Sequence, residues 1–164
     1  MDIGYLKVKI DIKTEYDEYK KKYNYTKKEI KKEEVKKVFE GFKEFFKNDG
    51  GFKFKENEHS VAAEYKDHAI KLDMDIYKNI ESDDYNLHGT IETYDREIFD
   101  ISVIGICNSD HTLQPAFASE EERMVHDTRY YKDFLEDKIS YTFQYKIEGR
   151  EELYTTMQQL MLAL

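Results

Sequence analysis

The sequence predicts an α+β fold: one domain over residues 1–164 with a single twisted, mostly antiparallel sheet and helices packed on one face. Two patterns of apolar residues predict this fold. One long segment has apolar residues three and four positions apart, as in a helix, and later segments have them at every second position, as in strands. The ten Phe and fourteen Tyr among 164 residues favour a packed core over disorder, although 37% of the residues are charged. The predicted order is β-α-β-β-β-β-β-α-β-α.

The first predicted strand covers residues 5–13, where Leu6, Val8, Ile10 and Ile12 alternate with charged residues. Residues 14–25 are polar and carry four tyrosines at near-helical spacing, which fits a short helix or a tyrosine-packed loop.

The first predicted helix runs from about 27 to 47. Thr26 and Glu29 form a capping-box pattern before it, and Asn48-Asp49-Gly50-Gly51 ends it. Its Phe-rich stripe predicts core packing.

Five strands are predicted next, and their short connections favour antiparallel neighbours. They cover residues 52–54, 61–65, 70–76, 87–94 and 98–107. Residues 101–107 are apolar on both faces and are predicted to form the central, most buried strand.

A loop is predicted at 108–118, and Ser119 with Glu122 forms a second capping box before a helix near 120–136. A strand at 140–147 and an amphipathic helix at 151–164 complete the fold, with Glu151 and Glu152 suited to the helix N-terminus. The apolar end of that helix, from Leu160 to Leu164, must pack in the core or form a homodimer seam, and we expect the homodimer.

Charge is divided unevenly along the chain, whose formal net charge is −9. Residues 1–55 carry 16 basic and 11 acidic residues, whereas 56–164 carry 10 basic and 24 acidic residues. This balance makes direct nucleic-acid binding unlikely, because the basic segment is interleaved with Glu. A single Cys, no signal-like start and no long apolar run predict a cytoplasmic protein outside the membrane.

Catalytic signals are weak. Cys107 and His111, four residues apart after a buried strand, are the candidates for an activated thiolate, although structural Cys is commoner. The other histidines lack metal-ligand spacing, so neither a metal nor a cofactor is predicted. The element Glu64-Tyr65-Lys66 matches a pattern of some metal-dependent nucleases, but so charged a chain produces it by chance.

Acidic residues on strands and loops form the predicted working surface. Asp73 and Asp75 project the same way along one strand, where Glu92 or Glu97 could oppose them, and a solvated sheet face is the simpler interpretation. Exposed tyrosines suit interfaces. The predicted partner-binding residues are Asp73, Asp75, Tyr77, Glu81, Asp83, Asp84, Tyr85, Asp127, Arg129, Tyr130 and Tyr131.

The resulting hypothesis is a small acidic binding or inhibitor protein that occludes a basic surface of a partner protein. Immunity proteins and phage inhibitors of bacterial defence (anti-defence proteins) are of this kind, but no stretch matches a particular family. The alternatives are a small metal-dependent hydrolase or nuclease, and a ligand-binding or sequestering module with a pocket between the sheet and the Phe-rich helix.

Overall fold

A 45-residue helix, α1, opens the fold and spans Ile3–Lys47. The computed structural model describes residues 1–109 and 116–164. Within these ranges the remaining elements are β1 (Lys53–Glu56), β2 (Ser60–Tyr65), β3 (His68–Asp73), α2 (Ile76–Glu81), β4 (Leu87–Glu92), β5 (Ile98–Cys107), α3 (Glu120–Leu135), β6 (Tyr141–Ile147), β7 (Leu153–Tyr154) and α4 (Met157–Ala163). The predicted α+β class is confirmed.

The predicted strand at 5–13 is wrong, because these residues form the first turns of α1. Val8 and Ile10, predicted to face a core, are 53% and 54% exposed. The physical reason is that apolar residues at 5, 8, 12, 16, 19 and 23 also satisfy the helical period, which continues without a break into the helix predicted at 27–47. Thr26 therefore lies inside the helix and caps nothing.

The chain divides into two compact units. The helical unit comprises Met1–Lys27 and Cys107–Thr142, and the sheet unit comprises Lys28–Ile106 and Phe143–Leu164. The two units are described separately below.

The sheet unit holds nearly all of a seven-stranded sheet whose strands lie in chain order, from β1 to β7. The described pairings are antiparallel and include Asp73 opposite Thr90 and Thr90 opposite Asp100. β5 is an interior strand, as predicted, but only its middle residues, 101–103, are buried, and Ile98 and Ile106 are 63% and 40% exposed.

One face of this sheet packs on helices. The apolar alternate residues of β2 to β6 form a single cluster with the C-terminal half of α1 and with α4. The fully buried members include Val38, Phe42, Leu72, Ile91 and Leu160. Helices packed on one sheet face are what the alternating strands predicted.

The chain end differs from its prediction. Residues 151–164 are not one helix, because β7 pairs with β6 and only Met157–Ala163 are helical. Thr156 caps α4 by accepting a hydrogen bond from the Gln159 amide (3.2 Å), so Glu151 and Glu152 do not lie in a first helical turn. Leu160 and Met161 are buried in the core, whereas Leu162 is 77% exposed.

The helical unit pairs the first half of α1 with α3. Tyr23 lies at its centre, with its ring stacked on Tyr131 (4.7 Å between centroids) and edge-on to Tyr130 and Phe134. The Tyr130 hydroxyl lies 2.9 Å from that of Tyr141. Tyr16 and Tyr23 of the 14–25 segment thus pack on α3, whereas Tyr25 is 68% exposed. Among the described residues, no helix has the length and apolar composition of a membrane span.

Candidate acidic binding cleft

The second face of the sheet is polar and carries the candidate site. Strand alternation sends Leu72 and Ile101 to the core and their neighbours Asp73, Asp100 and Ser102 to the opposite face. A cleft of about 460 Å³ lies on this polar face. Its lining residues are Asp73, Asp75, His88, Gly89, Thr90, Asp100, Ile101 and Glu148.

The strand register brings three carboxylates together. Asp73 on β3 and Asp100 on β5 both pair with Thr90 on β4, so they lie two strand spacings apart, or about 10 Å between backbones. Glu148, just after β6, joins them because its amide donates to the Asp100 carbonyl (2.8 Å). These side chains come from three sequence segments and meet only through the sheet.

A hydrogen-bonded chain crosses the next row of the face. Ser102, only 3% exposed, donates its hydroxyl hydrogen to Glu148 Oε1. The His88 Nδ1 atom lies 3.0 Å from the Ser102 oxygen. Since that hydroxyl proton is used on Glu148, His88 donates from Nδ1 and presents Nε2 outward when neutral. Ser102 thus holds the Glu148 carboxylate and the His88 ring in place.

This arrangement does not fit nucleophilic catalysis by serine. In a Ser-His-acid triad the histidine lies between the serine and the acid, and the serine oxygen is open to substrate. Here the serine lies between His88 and Glu148 and is buried. What the cleft presents to a ligand is a set of carboxylates on the sheet face.

The wall of the cleft is rigid where α2 meets β4. The Asn79 side chain, 5% exposed, donates to the His88 carbonyl (2.9 Å) and accepts from the His88 amide (2.8 Å). Asp75 caps α2 by accepting from the amides of Tyr77 (3.1 Å) and Lys78 (3.2 Å). The backbone that presents His88 is therefore clamped by a side chain.

The carboxylates of the cleft are poorly neutralised from within the chain. Asp73 pairs with Lys71 (3.4 Å), on the same strand. Among the described residues, no Lys or Arg nitrogen lies within 4.0 Å of a carboxylate oxygen of Asp75, Asp100 or Glu148. The cleft keeps a net negative charge for a ligand to meet.

Two of the predicted partner-binding residues, Asp73 and Asp75, line this cleft. Tyr77 does not line it, although it is 56% exposed, and its hydroxyl donates to Glu58 (2.8 Å). Glu81 ends α2, Asp83 and Asp84 lie in the loop after it, and all three are exposed and absent from the cleft lining.

The predicted exposure of Tyr85 is wrong. Tyr85 is 5% exposed. It packs closely against Gly105, because a Cβ atom added to residue 105 would lie 2.5 Å from the Cβ atom of Tyr85. The preceding loop is fastened by Lys31, a fully buried lysine of α1 that donates to the carbonyls of Ser82 (3.1 Å) and Asp84 (2.8 Å). The loop backbone is therefore anchored, and its acidic side chains project from it.

The predicted residues of the second acidic segment belong to the helical unit. Tyr130 and Tyr131 are half-buried in the tyrosine cluster, and their role in partner binding stays a prediction. Asp127 pairs with Arg123 (2.8 Å), whose own pKa is raised by hydrogen bonds to Glu120 and Tyr16. Arg129 alone of this set is exposed.

The predicted catalytic pair receives no structural test, since His111 lies outside the described residues. Cys107 is half-buried, with its sulfur 3.6 Å from the Ser109 hydroxyl. Within 1–109 and 116–164 no three His, Cys, Asp or Glu residues are grouped to hold a metal. In the nuclease-like element, Glu64 pairs with Lys55 (3.3 Å), and Lys66 lies in a turn with φ of +46°.

Sequence reasoning missed Asp100, Glu148, His88 and Ser102. Glu92, expected opposite Asp73, pairs instead with Lys71 and Ile98. The alternation of Asp100 and Ser102 with Phe99, Ile101 and Val103 carried a usable signal, hidden because the strand seemed apolar on both faces. Comparison with protein-family models, with curated proteins and with solved structures found no match.

Proposed function

We propose that this protein binds a basic segment of a partner protein in the acidic cleft and so occludes a basic surface, as inhibitors and immunity proteins do. The observation that supports it best is the meeting of Asp73, Asp100 and Glu148 on one sheet face, with no described Lys or Arg pairing with the latter two. Carboxylates of like charge on one sheet face repel one another. A cationic ligand would relieve that repulsion.

The dimensions suit a lysine or arginine side chain. Asp73 and Asp100 stand about 10 Å apart across Thr90, which leaves room for one cationic group between them with Glu148 beside it. Ser102 holds the Glu148 carboxylate and Asn79 holds the His88 backbone, so these two groups lose little conformational entropy on binding. The net charge of −9 would steer a basic partner toward the protein.

The alternatives have less support. A metal-dependent hydrolase needs a ligand group that the described residues do not provide. A ligand pocket behind the Phe-rich helix is disfavoured because Phe42 and Phe46 are buried in the core, 5.0 Å apart. The expected absence of catalysis and of direct nucleic-acid binding, and the cytoplasmic location, remain predictions. The homodimer through α4 also remains a prediction. The argument for it was an apolar helix end that needs to be covered, and Leu160 and Met161 are already buried in the core.

A peptide titration with matched charge variants tests the proposal. The probe is a Lys/Arg-rich octapeptide. Its binding is followed by NMR as changes in the chemical shifts of the Thr90 and Asp100 amides. The cleft variant combines Asp73→Asn, Asp100→Asn and Glu148→Gln. The loop variant combines Glu81→Gln, Asp83→Asn and Asp84→Asn, and it removes the same charge from exposed positions outside the cleft.

We expect salt-sensitive shifts at the cleft amides and an affinity lowered at least about tenfold in the cleft variant, with a smaller loss in the loop variant. Equal losses in both variants would mean that only overall charge matters, and absent shifts at Thr90 and Asp100 would reject the cleft. A pull-down from the native host, with wild type and the cleft variant as baits, then identifies the partner. The partner must be retained by wild type and not by the cleft variant.

A further inference from the structure

Exposed apolar side chains crowd the first turns of α1. Ile3, Tyr5, Val8 and Ile10 are 71%, 60%, 53% and 54% exposed. Farther along the same helix Tyr16 is only 6% exposed, because α3 covers it. Concentrated apolar exposure of this kind marks an interaction surface more often than a free one.

Part of this patch continues the face that α3 covers. Tyr5, Val8, Ile12, Tyr16 and Tyr19 recur at spacings of three and four, so they lie on one stripe of the helix. α3 begins at Glu120, and Lys9 is paired with the next residue, Glu121 (3.2 Å). Tyr5 and Val8 therefore occupy the same stripe beyond the start of α3.

We propose that this stripe pairs with the same stripe of a second copy of the chain, as two antiparallel helices. In a pair centred between residues 6 and 7, Tyr5 of each copy faces Val8 of the other. Ile12 then lies near the end of the second copy's helix. A groove of the helical unit begins there, about 540 Å³ in volume and lined by Ile12, Phe117 and Val125. The pairing therefore covers Tyr5 and Val8 in both copies and reaches one edge of this groove.

The charges beside the stripe are complementary in the antiparallel arrangement. Lys9 borders the stripe, with its nitrogen 5.1 Å from the centre of the Tyr5 ring, and Asp2 lies two turns away on the same border. In the proposed pair Asp2 of one copy lies within two residues, or about 3 Å along the axis, of Lys9 of the other. Asp2 caps the helix through Oδ1, which accepts from the Gly4 amide (2.8 Å). The antiparallel arrangement brings the same border of both helices together, so that Asp2 of each copy lies near Lys9 of the other.

The size of the surface sets the strength of this dimer. Each copy contributes about three helical turns and one edge of the groove. This surface has fewer residues than the roughly 20–30 that each side of a stable interface contributes. The dimer is therefore weak, and the fraction of dimer rises with protein concentration.

Sedimentation velocity from low-micromolar to near-millimolar concentration tests the assembly. Wild type is expected to shift toward a dimer as concentration rises, and the double variant Tyr5→Glu, Val8→Glu to remain monomeric throughout. Leu162→Glu and Ile98→Glu, at sites 77% and 63% exposed elsewhere, are the controls and should dimerise like wild type. Dimerisation lost in Leu162→Glu but kept in the double variant would overturn the proposal, as would a monomer at every concentration.

Disulfide trapping tests the register. In a Cys107→Ser background, a mixture of Tyr5→Cys and Val8→Cys proteins is expected to form a linked heterodimer faster than either protein links to itself. Faster self-linking of each would indicate parallel helices and refute the antiparallel pair. A lower melting temperature of the double glutamate variant at dilute concentration would show that the stripe is packed within its own chain, which also refutes it.

Discussion

The two faces of the sheet come from the same strands but carry opposite chemistry. On β3, Leu72 is fully buried against helices, whereas its neighbour Asp73 is half-exposed beside Asp100 and Glu148. The apolar face stabilises the fold because burial removes its side chains from water. The acidic face adds repulsion and so opposes folding. Stability and binding are thus divided between alternate residues, and substitutions one residue apart should separate them.

The largest separation is expected between Leu72→Ala and Asp73→Ala. Removing the Leu72 side chain leaves a cavity in the core and should lower the free energy of unfolding by about 2–5 kcal/mol. Asp73→Ala should change it by no more than about 0.5 kcal/mol, since it removes an exposed charge and a short-range pair with Lys71. Urea unfolding followed by circular dichroism measures both. Similar losses would contradict the division of roles.

The core face should also confer sensitivity to alkali. Burial, with a smaller contribution from Glu34, raises the pKa of Tyr145 from 10.0 to about 12. Its neutral form is therefore favoured by folding, and this contribution is complete below pH 10 and lost as the pH rises through about 12. Tyr145→Phe should reduce the fall of unfolding free energy across that window. Tyr94→Phe, at a site 64% exposed, is the control and should leave the fall unchanged.

A smaller effect on stability than that of Leu72→Ala is expected on the polar face, from Ser102→Ala. The variant loses the hydroxyl between His88 and Glu148, and we expect a cost of about 1 kcal/mol, since both partners can turn to water. The His88 ring should become more mobile, which the relaxation of its side-chain NMR signals reports. A cost near that of Leu72→Ala would mean that this face also carries the fold.

Short-range patterns predicted most elements of the sheet unit. The strand at 98–107 was predicted with its observed bounds, and Ser119 does cap α3, accepting from the Glu122 amide (3.2 Å). Such features depend on neighbours within a few residues, which the sequence states directly. The prediction for 5–13 failed because its apolar residues satisfy both periods, and the helix period wins because it continues without a break to Lys47.

The sequence by itself determined that the chain is acidic, that its strands alternate and that it is rich in aromatic residues. Only the tertiary structure decided which acidic residues meet. Asp73, Asp100 and Glu148 are far apart in the chain, and a shift of one residue in the register of a strand would send its carboxylate to the core face. Burial likewise separated Tyr85 and Tyr131, which pack inside, from Tyr77, which does not. Both outcomes depend on contacts between residues that are far apart in the chain. Alternation predicts which residues share one face of a strand, but it does not predict which elements pack beside that strand.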